Sequence, residues 1–151
     1  MISRKNIFAL LILIPLLLVG IFYIGKISPT SAATLELPHK TISLMIADTE
    51  VLQEQGLSGR TFLPENSAMI FIFNTPDRYA FWMKDMKFPI DIIWLDENFA
   101  IVDVKRNATP ETFPKEFTPQ KKSLYVIEAN TGFFDHNELH IGDIVKINLN
   151  K

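Results

Sequence analysis

The stretch PIDIIWLD, residues 89–96, decides the fold. Alternate residues of a strand point to opposite faces, and here both sets are mainly apolar. The pattern therefore predicts a strand buried on both sides, with Asp91 as its one interior charge. A compact polar connection, residues 96–98, leads into a second apolar run at residues 99–106. We expect these two strands to pair as a hairpin.

Turn signals divide the chain around this hairpin into further short elements. A helix is predicted after Asp48, whose carboxylate can cap the free amides of the first turn, and Gly56 ends it. A second short helix is predicted within residues 131–139. The remaining predicted strands are residues 41–47, 68–73, 79–83, 124–129 and 143–149. The sum is an α+β fold of mostly antiparallel strands, a small barrel-like or curled sheet with one or two short helices.

The N-terminal part of the chain differs sharply from the rest. Residues 7–24 carry no charge and as a helix would rise about 27 Å, close to a hydrocarbon core of about 30 Å. Residues 1–25 are therefore predicted to be a transmembrane anchor or signal peptide. The length of the apolar run favours a retained anchor, and cleavage would instead give a secreted domain. A linker, residues 26–38, and an extracytoplasmic domain, residues 39–151, are expected to follow.

Composition excludes several classes of protein. The chain has 151 residues, no cysteine and a net charge of −2. Residues 1–33 hold three basic and no acidic side chains, so the remainder carries −5. A disulfide scaffold, a cysteine nucleophile and a basic nucleic-acid binder are ruled out. We predict no cofactor, since no glycine-rich phosphate loop is present, and no metal site, since His136 and His140 lack a third ligand with a defined spacing.

Asp91 is the most informative polar residue of the sequence. A buried carboxylate needs a partner, because an unpaired buried charge costs several kcal/mol. Arg60 and Lys84 are the predicted partners. Three interpretations stay open: a structural ion pair, a ligand-binding or catalytic carboxylate, and an exposed aspartate at the strand end.

Residues 81–84, FWMK, combine two bulky aromatic side chains with a cation. Alternation places Phe81 and Met83 on one face and Trp82 and Lys84 on the other. If one face is core, the other displays Trp82 beside Lys84 and Asp85. Exposed aromatic rings next to polar groups form many carbohydrate- and peptide-binding surfaces, although both aromatics can equally well lie in the core.

Several segments of the sequence together resemble one family. GLSGR at residues 56–60, FWMKDM at 81–86, PIDII at 89–93, YVIEANTG at 125–132 and IGDIV at 141–145 are similar to domain-of-unknown-function family 192. The resemblance spans roughly residues 38–149. It implies a small, mostly β domain of α+β class and no established activity. This chain has Asp85 where the family usually has Asn.

The sequence supports three hypotheses of function. The first is a membrane-tethered extracytoplasmic binding or accessory domain for carbohydrate or an envelope protein, with a site of Arg60, Trp82, Lys84, Asp85 and Asp91. The long connection at residues 107–122 would lie over that site. The second is a small hydrolase or transferase that uses Asp85 and Asp91 as an acid/base pair. In the third, the motif only specifies the fold and no active site exists.

Overall fold

Seven strands form one open, mixed sheet in the computed structural model, which describes residues 33–149. Their order across the sheet is β5-β4-β6-β3-β2-β1-β7. Only β2 and β3 are parallel, and every other neighbouring pair is antiparallel. The strands are β1 (Ala33–Leu37), β2 (Lys40–Ala47), β3 (Ser67–Asp77), β4 (Ile90–Leu95), β5 (Ile101–Ala108), β6 (Ser123–Asn130) and β7 (Lys146–Asn148). The prediction of an α+β domain with a mainly antiparallel sheet is confirmed.

The predicted hairpin is present. β4 pairs with β5, and the Asp96 carboxylate accepts from the backbone N–H groups of Asn98 and Ala100 inside the connecting turn. All six residues of β4 are buried, as its two apolar faces predict. β4 also pairs with β6, which makes the hairpin part of the sheet interior.

Two predictions made from the sequence, one of a strand and one of a linker, differ from the structure. Residues 79–83 form no strand, and only Phe81 makes an isolated bridge, to Phe117. Residues 33–37, predicted as the end of a linker, form strand β1 between β2 and β7. Ala33 and Leu35 are buried there, so the domain begins inside the predicted linker. Residues 33–37, ATLEL, do alternate apolar and polar side chains, but the small residues and prolines around them indicated a linker.

The predicted membrane segment, residues 7–24, lies outside the described residues. Within residues 33–149, no helix is both long enough and apolar enough to cross a membrane.

Two short α-helices and one 3₁₀ turn complete the described chain. α1 (Glu50–Gln55) starts at Thr49, whose hydroxyl accepts from the Leu52 N–H, and not at Asp48 as predicted. α1 ends at Gly56, as predicted. α2 (Phe133–His136) lies within the second predicted helix, and the 3₁₀ turn is Pro110–Thr112.

The sheet separates two apolar clusters. Ile127 and Ala129 of β6 belong to the first cluster, together with Phe133 and Phe134 of α2. Val126 of the same strand belongs to the second cluster. The segments between the strands cover this second face, so the core lies on both sides of β6. At one end, Ile101 at the start of β5 donates its N–H to the Asp143 carbonyl at 2.8 Å, which links the two edges of the sheet.

Asp91 is buried beside the first cluster, and no cation within residues 33–149 pairs with it. One carboxylate oxygen accepts from the Asn107 N–H at 2.9 Å and the other from the Phe134 N–H at 3.0 Å. Asp91 thereby fixes the end of β5 and caps the first turn of α2, whose own N-cap residue, Gly132, has no side chain to do so. The predicted ion pair with Arg60 or Lys84 is wrong, because two backbone donors satisfy the carboxylate instead.

Replacing Asp91 by alanine is expected to lower the free energy of unfolding by about 2–4 kcal/mol, because two backbone N–H groups lose their acceptor beside the core. Chemical unfolding of the full-length chain in detergent measures this. Asp48→Ala is the control, since Asp48 is exposed and does not cap α1. A loss below about 0.5 kcal/mol for Asp91→Ala contradicts this assignment.

Candidate functional site

A cleft of about 740 Å³ opens on the second face of the sheet. One wall is α1 with the turn that follows it, and the other is the segment of residues 79–86. Its aromatic lining comprises Phe71, Phe73, Tyr79, Phe81 and Trp82. Its charged lining comprises Glu50, Glu54, Lys84, Asp85 and Glu128.

Glu128 forms the floor of this cleft. It lies on the central strand β6 and is only 4% exposed. Its cross-strand neighbours are Met69 on β3 and Ile92 on β4. Among the residues that the structure describes, none hydrogen-bonds to its Oε2 atom. Burial raises the pKa of Glu128 to about 8, against the smaller opposite effect of the Leu57 backbone N–H. At neutral pH this carboxyl is therefore mainly protonated and uncharged.

Gly56 lies close to the Glu128 carboxyl. A Cβ atom at residue 56 would be 3.3 Å from Glu128 Oε2 and 3.2 Å from the Phe71 ring. The residue also has φ of +50°, a region that side chains other than glycine rarely adopt. Glycine both ends α1 and lets its backbone approach the carboxyl closely.

Trp82 stands at the mouth of the cleft and is 47% exposed. Met83 beside it is buried, but Phe81 lines the cleft together with Trp82 and not on an opposite face as predicted. The Trp82 ring meets Phe113 edge to face at 6.1 Å between centroids, and the Lys84 ammonium lies 6.0 Å from its centre. Trp82 is therefore an exposed aromatic platform next to a cation.

Two hydrogen bonds tie this wall to the turn after α1. The Ser58 hydroxyl donates to the Lys84 carbonyl at 2.8 Å, and the Gly59 N–H donates to the Asp85 carbonyl at 3.0 Å. Asp85 has φ of +56°, a left-handed conformation that Asn and Asp tolerate better than other side chains. This backbone conformation suits either Asp or Asn at residue 85.

Three of the five predicted site residues line the cleft: Trp82, Lys84 and Asp85. Arg60 is exposed and is not part of the lining, and Asp91 lies in the cluster on the other face of the sheet. The segment of residues 107–122 contributes Phe113 against Trp82 and the bridge to Phe81, but no lining residue.

Sequence reasoning missed Glu128. The signal was available, because Glu128 is a single carboxylate inside the apolar run YVIEA, residues 125–129, just as Asp91 is inside PIDII. The sequence could not show which of the two carboxylates meets backbone donors and which one faces a cleft.

The pH dependence of stability tests the state of Glu128. The folded-state pKa of about 8 lies above the ordinary value of 4.5, so the folded protein binds this proton more tightly than the unfolded chain. The contribution of Glu128 to stability is thus complete below about pH 4.5 and is lost as the pH rises through 8. We expect Glu128→Gln to remove a decline of up to about 1.4 kcal/mol per pH unit across this range.

Unfolding curves of the full-length chain from pH 5 to pH 8.5 give this slope for wild type and variant. Glu65→Gln, which changes an exposed carboxylate outside the cleft, is the matched control and keeps the wild-type slope. Equal slopes for wild type and Glu128→Gln would show that the carboxyl is not dehydrated.

Comparison with solved structures places the fold among known ones. A candidate transcription regulator from Sinorhizobium meliloti superposes with a TM-score of 0.70 at 22% identity, over 77% of this chain and 92% of that one. A protein of unknown function from Novosphingobium aromaticivorans gives 0.69 at 27% identity, over 80% and 91% of the two chains. The likeness to the first structure concerns the fold alone.

Sequence comparison gives the family. A UPF0127 protein of Thermococcus sibiricus is 35% identical over 101 residues, and one of Thermococcus kodakarensis is 32% identical over 82 residues. These matches cover 65% and 53% of this chain but only 61% and 50% of the two relatives' own length. The model of family DUF192, described as "Uncharacterized ACR", matches residues 33–147. The chain therefore belongs to domain-of-unknown-function family 192.

Proposed function

We propose that this domain is a binding module whose cleft takes a small polar organic ligand of the carbohydrate class. One observation carries the proposal: a buried carboxyl with an unpartnered oxygen, that of Glu128, lies at the floor of an aromatic-lined cleft. Buried polar atoms are almost always hydrogen-bonded in folded proteins, so an unused one in a cleft indicates that a ligand supplies the partner.

The shape and lining of the cleft suit a sugar-sized ligand. A volume of about 740 Å³ lies within the usual range for small-molecule sites. Trp82 offers an exposed ring on which the apolar face of a pyranose can pack. A protonated Glu128 can both donate and accept a hydrogen bond, which matches the hydroxyl groups of a saccharide.

The proposal includes a location outside the cytoplasm. Residues 7–24 hold the domain at the cell membrane as a single-pass anchor, or direct its secretion if they are cleaved. In that location the ligand is a glycan of the cell envelope, or an envelope protein occupies the same cleft.

A second candidate function is hydrolysis or group transfer by paired carboxylates. Asp85 and Asp91 lie on different sides of the sheet and do not share a cleft. Glu128 and Asp85 do share one, and Glu128 is buried whereas Asp85 is exposed. An acid/base pair needs such unequal environments. Release of product from a bound saccharide would favour this function over simple binding.

Tryptophan fluorescence tests the binding function. The chain has two tryptophans, and Trp94 is buried at 2% exposure, so a change on ligand addition reports Trp82. Titration of the full-length chain in detergent with neutral saccharides, including N-acetylglucosamine, is expected to saturate. Trp82→Ala should weaken binding by about tenfold or more, measured calorimetrically.

Phe62→Ala is the control, because Phe62 is also an exposed aromatic residue but does not line the cleft. Equal affinities for wild type and Trp82→Ala would remove Trp82 from the site, and no saturation with any saccharide would reject the carbohydrate class.

Single cysteines test the location, since the natural chain has none. Glu97→Cys places a thiol in the exposed β4–β5 turn, and Ser3→Cys places one before the apolar segment. We expect a membrane-impermeant maleimide to label residue 97 in spheroplasts and residue 3 only after permeabilisation. Labelling of residue 3 in intact spheroplasts would contradict the proposed orientation.

A further inference from the structure

We propose that the ligand of this cleft carries a protonated primary amine, which forms an ion pair with Glu128 while the body of the ligand packs on Trp82. This inference rests on the proposed function and names the charge of the ligand. An amino sugar and the lysine side chain of a peptide share this chemistry.

The charge distribution of the cleft points to a cation. Four acidic residues line the cleft. Glu50 and Glu54 lie on α1, Asp85 lies on the opposite wall, and Glu128 lies at the floor. Lys84 is the only basic residue of the lining, and its ammonium lies beside Trp82 at the mouth, 6.0 Å from the ring centre. A cleft with one sign of charge concentrates ligands of the opposite sign.

Glu128 is the residue that distinguishes this cleft from an ordinary acidic surface. Its side chain is more than nine-tenths buried, and Oε2 has no protein partner. The neighbouring Gly56 has no Cβ, and a Cβ there would lie 3.3 Å from Oε2, so glycine keeps the space beside this oxygen free of a side chain. An ammonium group at Oε2 would supply the missing donor and also the countercharge that an ionised buried carboxylate needs.

The arrangement fits an organic cation better than a metal ion. Among residues 33–149, no three His, Asp or Glu side chains are close enough to hold a metal. An organic ligand can instead span the distance from the rim carboxylates to the floor. Tyr79, Phe81 and Trp82 also line the cleft, and aromatic rings attract ammonium groups through their negatively charged faces.

Binding of such a ligand displaces one proton. Before binding, Glu128 holds a proton at neutral pH because burial disfavours its charged form. The incoming ammonium keeps its own proton and replaces that of Glu128, which passes to the solvent. Charge balances, since one cation enters the site and one proton leaves it. A neutral saccharide displaces no proton.

Calorimetry of the full-length chain in detergent with three probes tests the inference. Glucosamine and N-acetylglucosamine have the same ring and differ in the charge of the amine, and Nα-acetyl-lysine amide offers the ammonium of a peptide. At pH 7 we expect both amines to bind about tenfold more tightly than N-acetylglucosamine. Buffers of different ionisation enthalpy should reveal release of close to one proton for the amines and none for N-acetylglucosamine.

The affinity for the lysine amide should also rise by about tenfold per pH unit between pH 6 and 7 and level off above about pH 8. Glu50, Glu54, Tyr79, Lys84 and Asp85 face Glu128 across the cleft. These groups are unchanged in Glu128→Gln, so loss of the pH dependence in that variant assigns the change to Glu128.

Glu128→Gln should abolish proton release and lower the amine affinity by about tenfold. Glu65→Gln, an exposed carboxylate outside the cleft, should behave as wild type. The number of protons that the wild-type protein releases on binding is measured without any variant. It therefore tests the ion pair even if Glu128→Gln folds poorly.

Each outcome has a separate meaning. Equal binding of glucosamine and N-acetylglucosamine without proton release overturns the inference and leaves the carbohydrate-binding function standing. Binding of the lysine amide alone supports the inference and rejects the carbohydrate class. Binding of none of the three probes overturns the inference, and the Trp82 titration with other neutral saccharides then decides the proposed function by itself.

Discussion

The pleat of the central strand β6 is the constraint on which the domain depends. Adjacent side chains of a strand point to opposite faces, so Ile127 and Ala129 enter one apolar cluster while Val126 and Glu128 face the other. β3 and β4 flank β6 on both sides and shield its backbone from water, while the carboxyl of Glu128 is buried beside Gly56. A shift of one residue in this register would bury Glu128 in the first cluster, where Asp91 already occupies the backbone donors.

The two interior carboxylates of the domain illustrate two outcomes of burial. Asp91 meets two backbone N–H groups and holds the end of β5 and the start of α2 together. Glu128 meets the Leu57 backbone on one side only, and its remaining oxygen has no partner. Asp91 is therefore explained by the fold alone. Glu128 is unfavourable for the fold at high pH, and under the proposed function a ligand in the cleft supplies its partner.

The sequence predicted those parts of the fold that depend on local patterns. The apolar faces of residues 90–95, the turn at 96–98 and the helix stop at Gly56 each follow from residues close in the chain. β1 was missed although its residues ATLEL, 33–37, alternate between apolar and polar, because they follow the small residues of the predicted linker. The strand pairs with distant β2 and β7. Residues 79–83 alternate like a strand, but their backbone pairs only at Phe81.

The site was predicted in part for the same reason. Trp82, Lys84 and Asp85 are adjacent in sequence and line one wall of the cleft together. The other contributions come from α1 and from β6, which the chain brings to this wall only through the sheet. Which carboxylate pairs with a backbone donor depends on tertiary structure, and so the sequence assigned Asp91 to a site where Glu128 belongs.

The central claim is that Glu128 is a dehydrated carboxyl that is neutral at neutral pH. A pH titration of its side-chain ¹³C carboxyl resonance, assigned with Glu128→Gln, measures this directly. We predict a midpoint near pH 8 in the free protein. A midpoint near the ordinary value of 4.5 would show a solvated carboxylate and contradict the account of the cleft floor.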